Sequence, residues 1–221
     1  MARTALIAGA TGLVGGHCLE LLLAEPGYAQ VIALVRRALS VSHPKLEQRI
    51  TDFERLGAAG APFPAPDDVF CCLGTTMKQA GSKAAFRLVD FTYVVSLANR
   101  ALGQGATQFL LVSALGANPK SPIFYYQVKG EAEEAIGGLP FRGRYLFRPS
   151  LLTGDRPEHR PAERFGLAVA SGVSLALVGP LRRYRPIAAA TVARGMVRVA
   201  AAAPGGLKVV ESDEIERLAH A

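Results

Sequence analysis

The chain has 221 residues, half of them hydrophobic, and a formal net charge of +7. This length and composition are typical of one α/β domain, residues 1–221, with a large buried core. The basic residues are scattered, without a basic tail or interleaved aromatic residues, which excludes a nucleic-acid partner. The three cysteines have the spacing of neither a disulfide framework nor a metal site, so we expect no metal.

The first residues resemble neither a secretory signal nor a membrane anchor. An apolar run begins almost at once, without a basic n-region or a cleavage site, so we expect a cytoplasmic location. The longest apolar stretch, 165–181, is interrupted by glycine, serine and proline and is short for a bilayer span. We therefore expect no membrane partner.

A glycine loop joins the first predicted strand, Thr4–Ala8, to the first predicted helix, which continues through Leu19–Ala24. Gly9, Gly12 and Gly15 would allow a tight turn, backbone approach to a pyrophosphate and close helix packing. The N–H groups of the first helical turn can then bind phosphate. The alternative is a tight turn without a ligand. The residues predicted to bind the diphosphate are Gly9, Thr11, Gly12, Leu13, Val14 and Gly15.

The end of the second predicted strand, Val31–Val35, indicates which nucleotide fits. Sites for NAD usually place Asp or Glu there, to accept hydrogen bonds from the adenosine ribose. This chain has Val35 instead, followed by Arg36 and Arg37, whose guanidinium groups can hold a 2′-phosphate. The sequence therefore predicts NADP(H), and a solvated basic turn is the alternative.

Two further strands bring polar and small residues to the same sheet edge. A strand near Gln48–Thr51 ends at Asp52 and Phe53, which we place beside the adenine ring. The strand Val69–Leu73 is followed by small and hydroxyl residues that would pass under the cofactor. The residues of this segment predicted to bind the cofactor are Leu73, Gly74 and Thr75.

A long helix should follow, with Ser82 as its N-cap and its end at Gly103. Asp90 lies inside it, where we expect a solvated position.

Ser113, Tyr125 and Lys129 form the predicted catalytic set. The fifth strand, Gln108–Val112, delivers Ser113 to the carboxyl edge of the sheet, where open α/β folds bind ligands. Tyr125 and Lys129 share one helix face, whereas Tyr126 is offset by about 100° and should point elsewhere. Ser113 would hydrogen-bond a substrate oxygen while Tyr125 passes a proton. A surface Tyr–Lys pair is the alternative.

A tyrosine titrates near pH 10, so acid–base work near neutrality requires a lower pKa. The Lys129 ammonium and an oxidised nicotinamide are both positive, and we expect them together to lower the pKa of Tyr125.

The remaining elements complete the predicted sheet. Arg144–Arg148 should form a sixth strand, and the irregular segment Gly154–Pro186 should form a small lid on the substrate side. A helix over 188–203, a strand over 207–210 and a capped final helix from Ser212 follow.

In this order, several motifs resemble the extended and atypical branches of the short-chain dehydrogenase/reductase superfamily. They are Thr11-Gly12-Leu13-Val14-Gly15, Ser113, Tyr125-x-x-x-Lys129 and Arg148-Pro149-Ser150. More narrowly, Cys72-Leu73-Gly74-Thr75-Thr76, Lys78-Gln79-Ala80-Gly81-Ser82, Val89-Asp90 and Gln127-Val128-Lys129-Gly130-Glu131 look like the Tat-interacting-protein-like oxidoreductases and their bacterial relatives.

The resemblance implies a Rossmann-type doubly wound, mainly parallel sheet with helices on both faces. It also implies NADPH binding, with Lys129 on the nicotinamide ribose and Pro149 near the nicotinamide amide. Classical members carry Asn where this chain has Asp90. The expected function is NADP(H)-dependent hydride transfer to or from a small carbonyl or alcohol substrate. Epimerase or dehydratase chemistry, and a non-catalytic NADPH-binding regulatory protein, are the alternatives. By family analogy the helices after Ser82 and Ile123 could form a homodimer.

Overall fold

The computed structural model describes residues 3–57, 62–154 and 177–220, and a seven-stranded sheet lies at its centre. The order of its strands is β3-β2-β1-β4-β5-β6-β9, and each neighbouring pair is parallel. A second, two-stranded sheet pairs β7 with β8. The strands are β1 (Arg3–Ala8), β2 (Tyr28–Val35), β3 (Leu46–Ile50), β4 (Asp68–Cys71), β5 (Gln108–Val112), β6 (Gly143–Arg148), β7 (Leu152–Thr153), β8 (Ile187–Ala188) and β9 (Gly206–Glu211).

Helices cover both faces of the large sheet, which confirms the predicted doubly wound α/β class. They are α1 (Leu13–Ala24), α2 (Met77–Ala80), α3 (Lys83–Arg87), α4 (Tyr93–Gly103), α5 (Phe124–Gly137), α6 (Ala189–Ala202) and α7 (Ser212–His220). Short 3-10 turns span Phe53–Arg55 and Gly179–Tyr184. Within the described ranges, none of these helices has the length and apolar character needed to cross a membrane.

The central strands are apolar at almost every position because both of their faces are covered. In β1, Ile7 belongs to the core that contains α1 and α6, whereas Leu6 and Ala8 belong to the core that contains α4. Alternate side chains of a strand point to opposite faces, so one short run serves two cores. Burying one large aliphatic side chain contributes roughly 1.5–3 kcal/mol.

A buried carboxylate joins four elements at the amino edge of the sheet, opposite the predicted site. Asp68, which is fully buried, accepts hydrogen bonds from the Tyr28 hydroxyl at 2.7 Å and from Gln108 Nε2 at 2.6 Å. Arg3 Nη1 adds an ion pair at 2.7 Å. Because the Asp68 carboxylate has all of these partners, its burial is compensated and it joins the starts of four strands. This edge of the sheet is the one opposite the ligand-binding edge.

The helix predicted after Ser82 differs from the prediction. Ser82 does cap a helix, since its Oγ accepts the Ala85 N–H at 3.1 Å. The helix is α3, however, and a π-helical turn over Leu88–Thr92 separates it from α4. A π turn inserts an extra residue and changes which side chains face inward. Asp90, within this turn, is 1% exposed, so the expectation of a solvated position is wrong.

The predicted lid over Gly154–Pro186 lies mostly outside the described residues, since 155–176 are not described. The described part contains the 3-10 turn at Gly179–Tyr184, which packs against α7.

The glycine loop brings the start of α1 against β1 and β4. Gly9 has φ +88°, and a Cβ placed on it would lie 2.4 Å from the carbonyl oxygen of Cys72. A Cβ on Gly15 would lie 2.0 Å from the carbonyl oxygen of Gly9. Only glycine fits at these two positions, because no side chain can enter such backbone contacts. The loop therefore fixes the helix N-terminus at the carboxyl edge of the sheet.

The adjacent glycines of α1 provide a matched test of this packing. Gly15→Ala should lower the free energy of unfolding by roughly 1–3 kcal/mol because its methyl group has no room. Gly16→Ala should raise it by roughly 0.5–1 kcal/mol through helix propensity, since its Cβ would be 3.6 Å from the nearest atom, the Ala10 oxygen. Urea denaturation measures both. Equal effects of the two substitutions would contradict the assigned contact.

Candidate active site

A cavity of about 1000 Å³ opens at the carboxyl edge of the sheet. Its walls come from the segments that follow β5 and β6, the first turn of α5 and the 3-10 turn before β8. Gly154 at its rim abuts the glycine loop, because a Cβ there would lie 3.1 Å from Leu13 Cδ1. The predicted residues Ser113, Tyr125 and Pro149 all line this cavity. The cavity and the predicted phosphate loop are therefore neighbours.

Ser113 is held by its backbone at the wall of the cavity. The Ser113 N–H donates to the Phe147 carbonyl at 2.7 Å, which continues the pairing between β5 and β6 by one residue. The side chain lines the cavity, and Ser113 is 5% exposed. In the described part of the chain, its Oγ has no hydrogen-bond partner. Buried hydroxyl groups normally have partners, so an unpartnered one at a cavity wall fits a ligand oxygen.

Tyr125 and Tyr126 begin α5 and both line the cavity. The Tyr125 ring packs against Phe86, with ring centroids 5.6 Å apart, and against Tyr126 at 5.2 Å. The prediction that Tyr126 points elsewhere is wrong, because the cavity extends to Gly116, whose ideal Cβ would lie 3.4 Å from the Tyr126 ring. The two phenols therefore face one cavity from different directions.

Lys129 lies one turn after Tyr125 and is only 6% exposed. Its Nζ forms an ion pair with Asp90 Oδ1 at 2.8 Å. The other oxygen of that carboxylate accepts the backbone N–H of Thr75 at 2.9 Å. Gly74 lies beside this pair, since its ideal Cβ would be 3.4 Å from Asp90 Oδ1 and 3.5 Å from Lys129 Nζ. The segment after β4 is thus tied to α5 through Asp90.

The sequence analysis missed the role of Asp90, although a signal was present. Asp90 is four residues after Phe86 and four before Val94, and both of these are fully buried. Residues four apart share a helix face, so an acid between two core residues is itself a candidate for burial. The π turn could not be read from this spacing.

The protein's own groups raise the pKa of Tyr125, and the lowering expected from Lys129 together with an oxidised nicotinamide stays a prediction. Burial raises the pKa of Tyr125, the Lys129 ammonium opposes this, and Asp90 and Tyr126 act with burial, so the pKa lies above its ordinary value. Burial lowers the pKa of Lys129, but Asp90 and Tyr125 outweigh burial and keep it above its ordinary value. Burial has the largest effect on this pKa, and the Lys129 ammonium, which Asp90 and Tyr126 oppose, does not overcome it.

At the predicted adenosine end, Asp52 caps a turn and Phe53 packs into the core. Asp52 Oδ1 accepts the Glu54 N–H at 3.0 Å and caps a 3-10 turn. Phe53 is buried, with its ring 5.8 Å from that of Tyr93 at the start of α4. Tyr93 is half-buried, and the sequence analysis did not place it at this end of the site. Its pKa is raised by burial and by the acidic residues Glu54 and Asp52, which oppose nearby Arg36.

Arg36 and Arg37 are exposed directly after β2, whose last residue is the buried Val35. This is the sheet edge to which the glycine loop brings α1, and Gly12 as the N-cap residue has no side chain to cap that helix. The first-turn N–H groups and the two guanidinium groups therefore lie at the same edge.

The sequence analysis also did not predict that charged residues line the cavity. Arg148 at the end of β6 forms a bidentate pair with Glu133 of α5, which is nearly buried. Arg183 reaches Glu211 at 3.3 Å and lies over the Tyr184 ring at 5.1 Å. Arg148, Arg183, Tyr184 and Glu211 add charged and aromatic groups to the lining of the cavity.

The described residues contain no group of three or more His, Cys, Asp or Glu side chains arranged to hold a metal ion. They do fit a dinucleotide: a Rossmann strand order, an uncapped helix start behind a glycine turn, and a cavity wall with an unpartnered hydroxyl group. These features define a dinucleotide-binding protein of the Rossmann class.

Comparison with known proteins gives the family. Residues 9–138 match the NAD(P)H-binding family. Protein HTATIP2 from Rattus norvegicus is 37% identical over 164 residues, covering 73% of this chain and 67% of that protein. The mitochondrial protein fmp52 from Aspergillus fumigatus is 33% identical over 219 residues, covering 96% of this chain and 90% of that protein. The chain belongs to this NAD(P)H-binding family, with protein HTATIP2 and the fmp52 proteins among its relatives.

Solved structures support the fold. Human epimerase family protein SDR39U1 with NADPH has a TM-score of 0.62 at 17% identity, covering 94% of this chain and 72% of that chain. Enzyme WbmH from Bordetella bronchiseptica, in complex with NAD⁺, has a TM-score of 0.67 at 18% identity, covering 99% of this chain and 79% of that chain. At these identities the likeness establishes the Rossmann-type fold alone.

The comparisons also correct the expected location. Several fungal relatives, including those from Aspergillus fumigatus and Coccidioides immitis, are named mitochondrial proteins. The prediction of a cytoplasmic location is therefore wrong, because it was drawn from the absence of a secretory signal, which does not bear on mitochondria.

Two buried serines test whether the Ser113 hydroxyl group has a structural role. Ser113→Ala should leave the free energy of unfolding unchanged within about 0.5 kcal/mol, or raise it, because an unpartnered buried hydroxyl group contributes nothing. Ser212→Ala should lower it by about 1–3 kcal/mol, because Ser212 Oγ accepts the Ser150 N–H at 2.6 Å. Chemical denaturation of both variants measures this difference. A loss for Ser113→Ala equal to that for Ser212→Ala would show that Ser113 is structural.

Proposed function

We propose that the protein is an NADP(H)-dependent oxidoreductase that reduces a small carbonyl compound or oxidises the corresponding alcohol. The observation that carries this proposal is the convergence of Ser113 and Tyr125 on one cavity beside the glycine loop. Lys129 is buried one helical turn behind Tyr125. A hydroxyl group, a phenol and an ammonium at the nicotinamide end of a Rossmann fold are the groups that carbonyl reduction requires.

The proposed preference for NADP(H) rests on the end of β2. Val35 supplies no carboxylate to repel a 2′-phosphate, and Arg36 and Arg37 are exposed next to it. Charged hydrogen bonds contribute about 1.5–3 kcal/mol, which corresponds to a preference on the order of 10- to 100-fold over NADH. The family match covers both nucleotides, so these arginines are the support for the finer assignment.

The mechanism assigns one task to each side chain. Ser113 would donate a hydrogen bond to the substrate oxygen, and the lack of another partner for its Oγ among the described residues supports this role. Tyr125 donates its phenolic proton to the same oxygen as negative charge develops there. A bound NADPH would supply the hydride. Lys129 would contact the nicotinamide ribose, and the backbone near Pro149, which lines the cavity, would meet the nicotinamide amide.

The rival function is a regulatory protein that binds NADPH without turnover, because this fold serves both purposes. The Ser113 Oγ favours the enzyme, since a buried hydroxyl group without a partner at the cavity wall suits a substrate oxygen, which a site for the nucleotide alone does not require. The homodimer predicted by analogy, through the helices after Ser82 and Ile123, stays a prediction.

Neighbouring tyrosines provide the functional test. Tyr125→Phe removes the proton donor and keeps the ring, so turnover should fall by at least roughly 10²–10⁴-fold, with NADPH affinity unchanged. Tyr126→Phe makes the same chemical change in the same cavity, and we expect it to retain the rate within a few-fold. The assay follows NADPH absorbance with a panel of aldehydes, ketones and quinones.

Full activity of Tyr125→Phe on a substrate of the wild-type protein would refute the mechanism. NADPH binding without turnover of any panel compound would favour the regulatory protein.

A further inference from the structure

Asp90 acts electrostatically on the proposed proton donor, Tyr125, and lies in an irregular turn of helix. The π turn over Leu88–Thr92 interrupts an otherwise regular helix at this residue. π turns cost regular hydrogen bonding and occur frequently at functional sites. The carboxylate is 1% exposed and engages Lys129 with one oxygen and the Thr75 N–H with the other.

Three titratable groups lie around the Lys129 ammonium. Asp90 and Tyr125 face its ammonium, and Cys71 lies near it at the end of β4. Burial raises the pKa of the Cys71 thiol to about 12, so Cys71 is uncharged near neutrality. Tyr125 in turn is faced by Lys129, Asp90 and Tyr126. One positive and one negative charge therefore balance in this buried cluster.

Resting on the proposed function, we propose that Asp90 is a positioning residue that anchors Lys129 and the Thr75 backbone. By neutralising the Lys129 ammonium, it keeps Tyr125 protonated and so sets the site for proton donation to a carbonyl group. An unopposed ammonium would favour the tyrosinate form, which accepts a proton and suits alcohol oxidation. The Asp90 carboxylate thus determines the pH range in which each direction proceeds.

The proposed reduction involves the nucleotide, the carbonyl group of the substrate, Tyr125 and solvent. A bound NADPH would supply the hydride for the new C–H bond and would leave as NADP⁺. As the carbonyl π bond breaks, the O–H bond of Tyr125 breaks too and its proton moves to the substrate oxygen. Solvent then returns a proton to Tyr125. Asp90 and Lys129 exchange no proton in this step and act only through their charges.

The titration of Tyr125 tests the proposal without any need for turnover. The chain has six tyrosines and no tryptophan, so tyrosinate absorbance in the near ultraviolet can be followed directly. Subtracting the titration of the Tyr125→Phe counterpart isolates Tyr125. Asp90→Asn keeps the shape and the acceptor for the Thr75 N–H but removes the charge, so Tyr125 should titrate at lower pH than in the wild-type protein.

Glu131→Gln is the matched control. It also removes one carboxylate charge, on the same helix as Lys129, but Glu131 pairs with Arg87 at 2.5 Å. Its Tyr125 titration should coincide with that of the wild type. A merely structural role of Asp90 would alter stability and leave the titration midpoint in place.

The double variant Asp90→Asn, Lys129→Gln replaces the ion pair with a neutral pair and serves if the single variant does not fold. Because the wild-type pair is already neutral overall, Tyr125 should titrate near the wild-type midpoint in the double variant. A midpoint well above the wild-type value would overturn the proposal, because it would show that Lys129 acts unopposed in the wild-type protein.

Coincident titrations of Asp90→Asn and the wild type would also overturn the proposal, while leaving the oxidoreductase function to the Tyr125→Phe assay. Once a substrate is found, Asp90→Asn should shift the pH profile of alcohol oxidation to lower pH. A changed KM with an unmoved pH profile would contradict the electrostatic role.

Discussion

The backbone contact between Gly9 and Gly15 constrains the rest of the site. It places the start of α1 directly against the ends of β1 and β4, where a Cβ on either residue would lie 2.4 Å or less from a backbone oxygen. Because the helix starts there without a side-chain cap, its N–H groups meet the sheet edge at the switch point of the strand order. The cavity, the arginines after β2 and the segment after β4 are arranged around this point.

A second constraint is electrostatic. The Lys129 ammonium and the Asp90 carboxylate are both buried, and desolvating two charges is costly unless their geometry and remaining hydrogen bonds compensate. Here the Thr75 N–H takes the second carboxylate oxygen, and the π turn supplies the geometry. Such a pair contributes little net stability, so its value lies in fixing two segments and in setting the charge beside Tyr125.

The fold could be predicted because its signals are local and repeated. Short apolar runs such as Val31–Val35, separated by turn and helix signals, indicate a parallel sheet, and the glycine loop between the first strand and helix indicates its ligand edge. Ser113 and Tyr125 could be placed on one cavity for a similar reason, since strand ends and helix faces follow from spacing. The family resemblance implies the same fold and the same two residues.

The features that the sequence did not predict depend on contacts between distant segments. The burial of Asp90 depends on a π turn that spacing does not reveal. The burial of Tyr125, which raises its pKa, likewise depends on packing between distant segments. Tyr126 reaches the cavity because the segment after β5 leaves room at Gly116, which the 100° helical offset could not show. The predicted location was wrong because the absence of a recognisable secretory signal does not indicate a compartment.

Every functional role assigned here depends on a bound NADP(H), so the most direct test is a calorimetric titration of the protein with NADPH and with NADH. The account predicts that NADPH binds on the order of 10- to 100-fold more tightly. It also predicts that replacing both Arg36 and Arg37 with alanine removes that preference while NADH binding stays the same. Equal affinities in the wild-type protein, or no binding of either nucleotide, would contradict it.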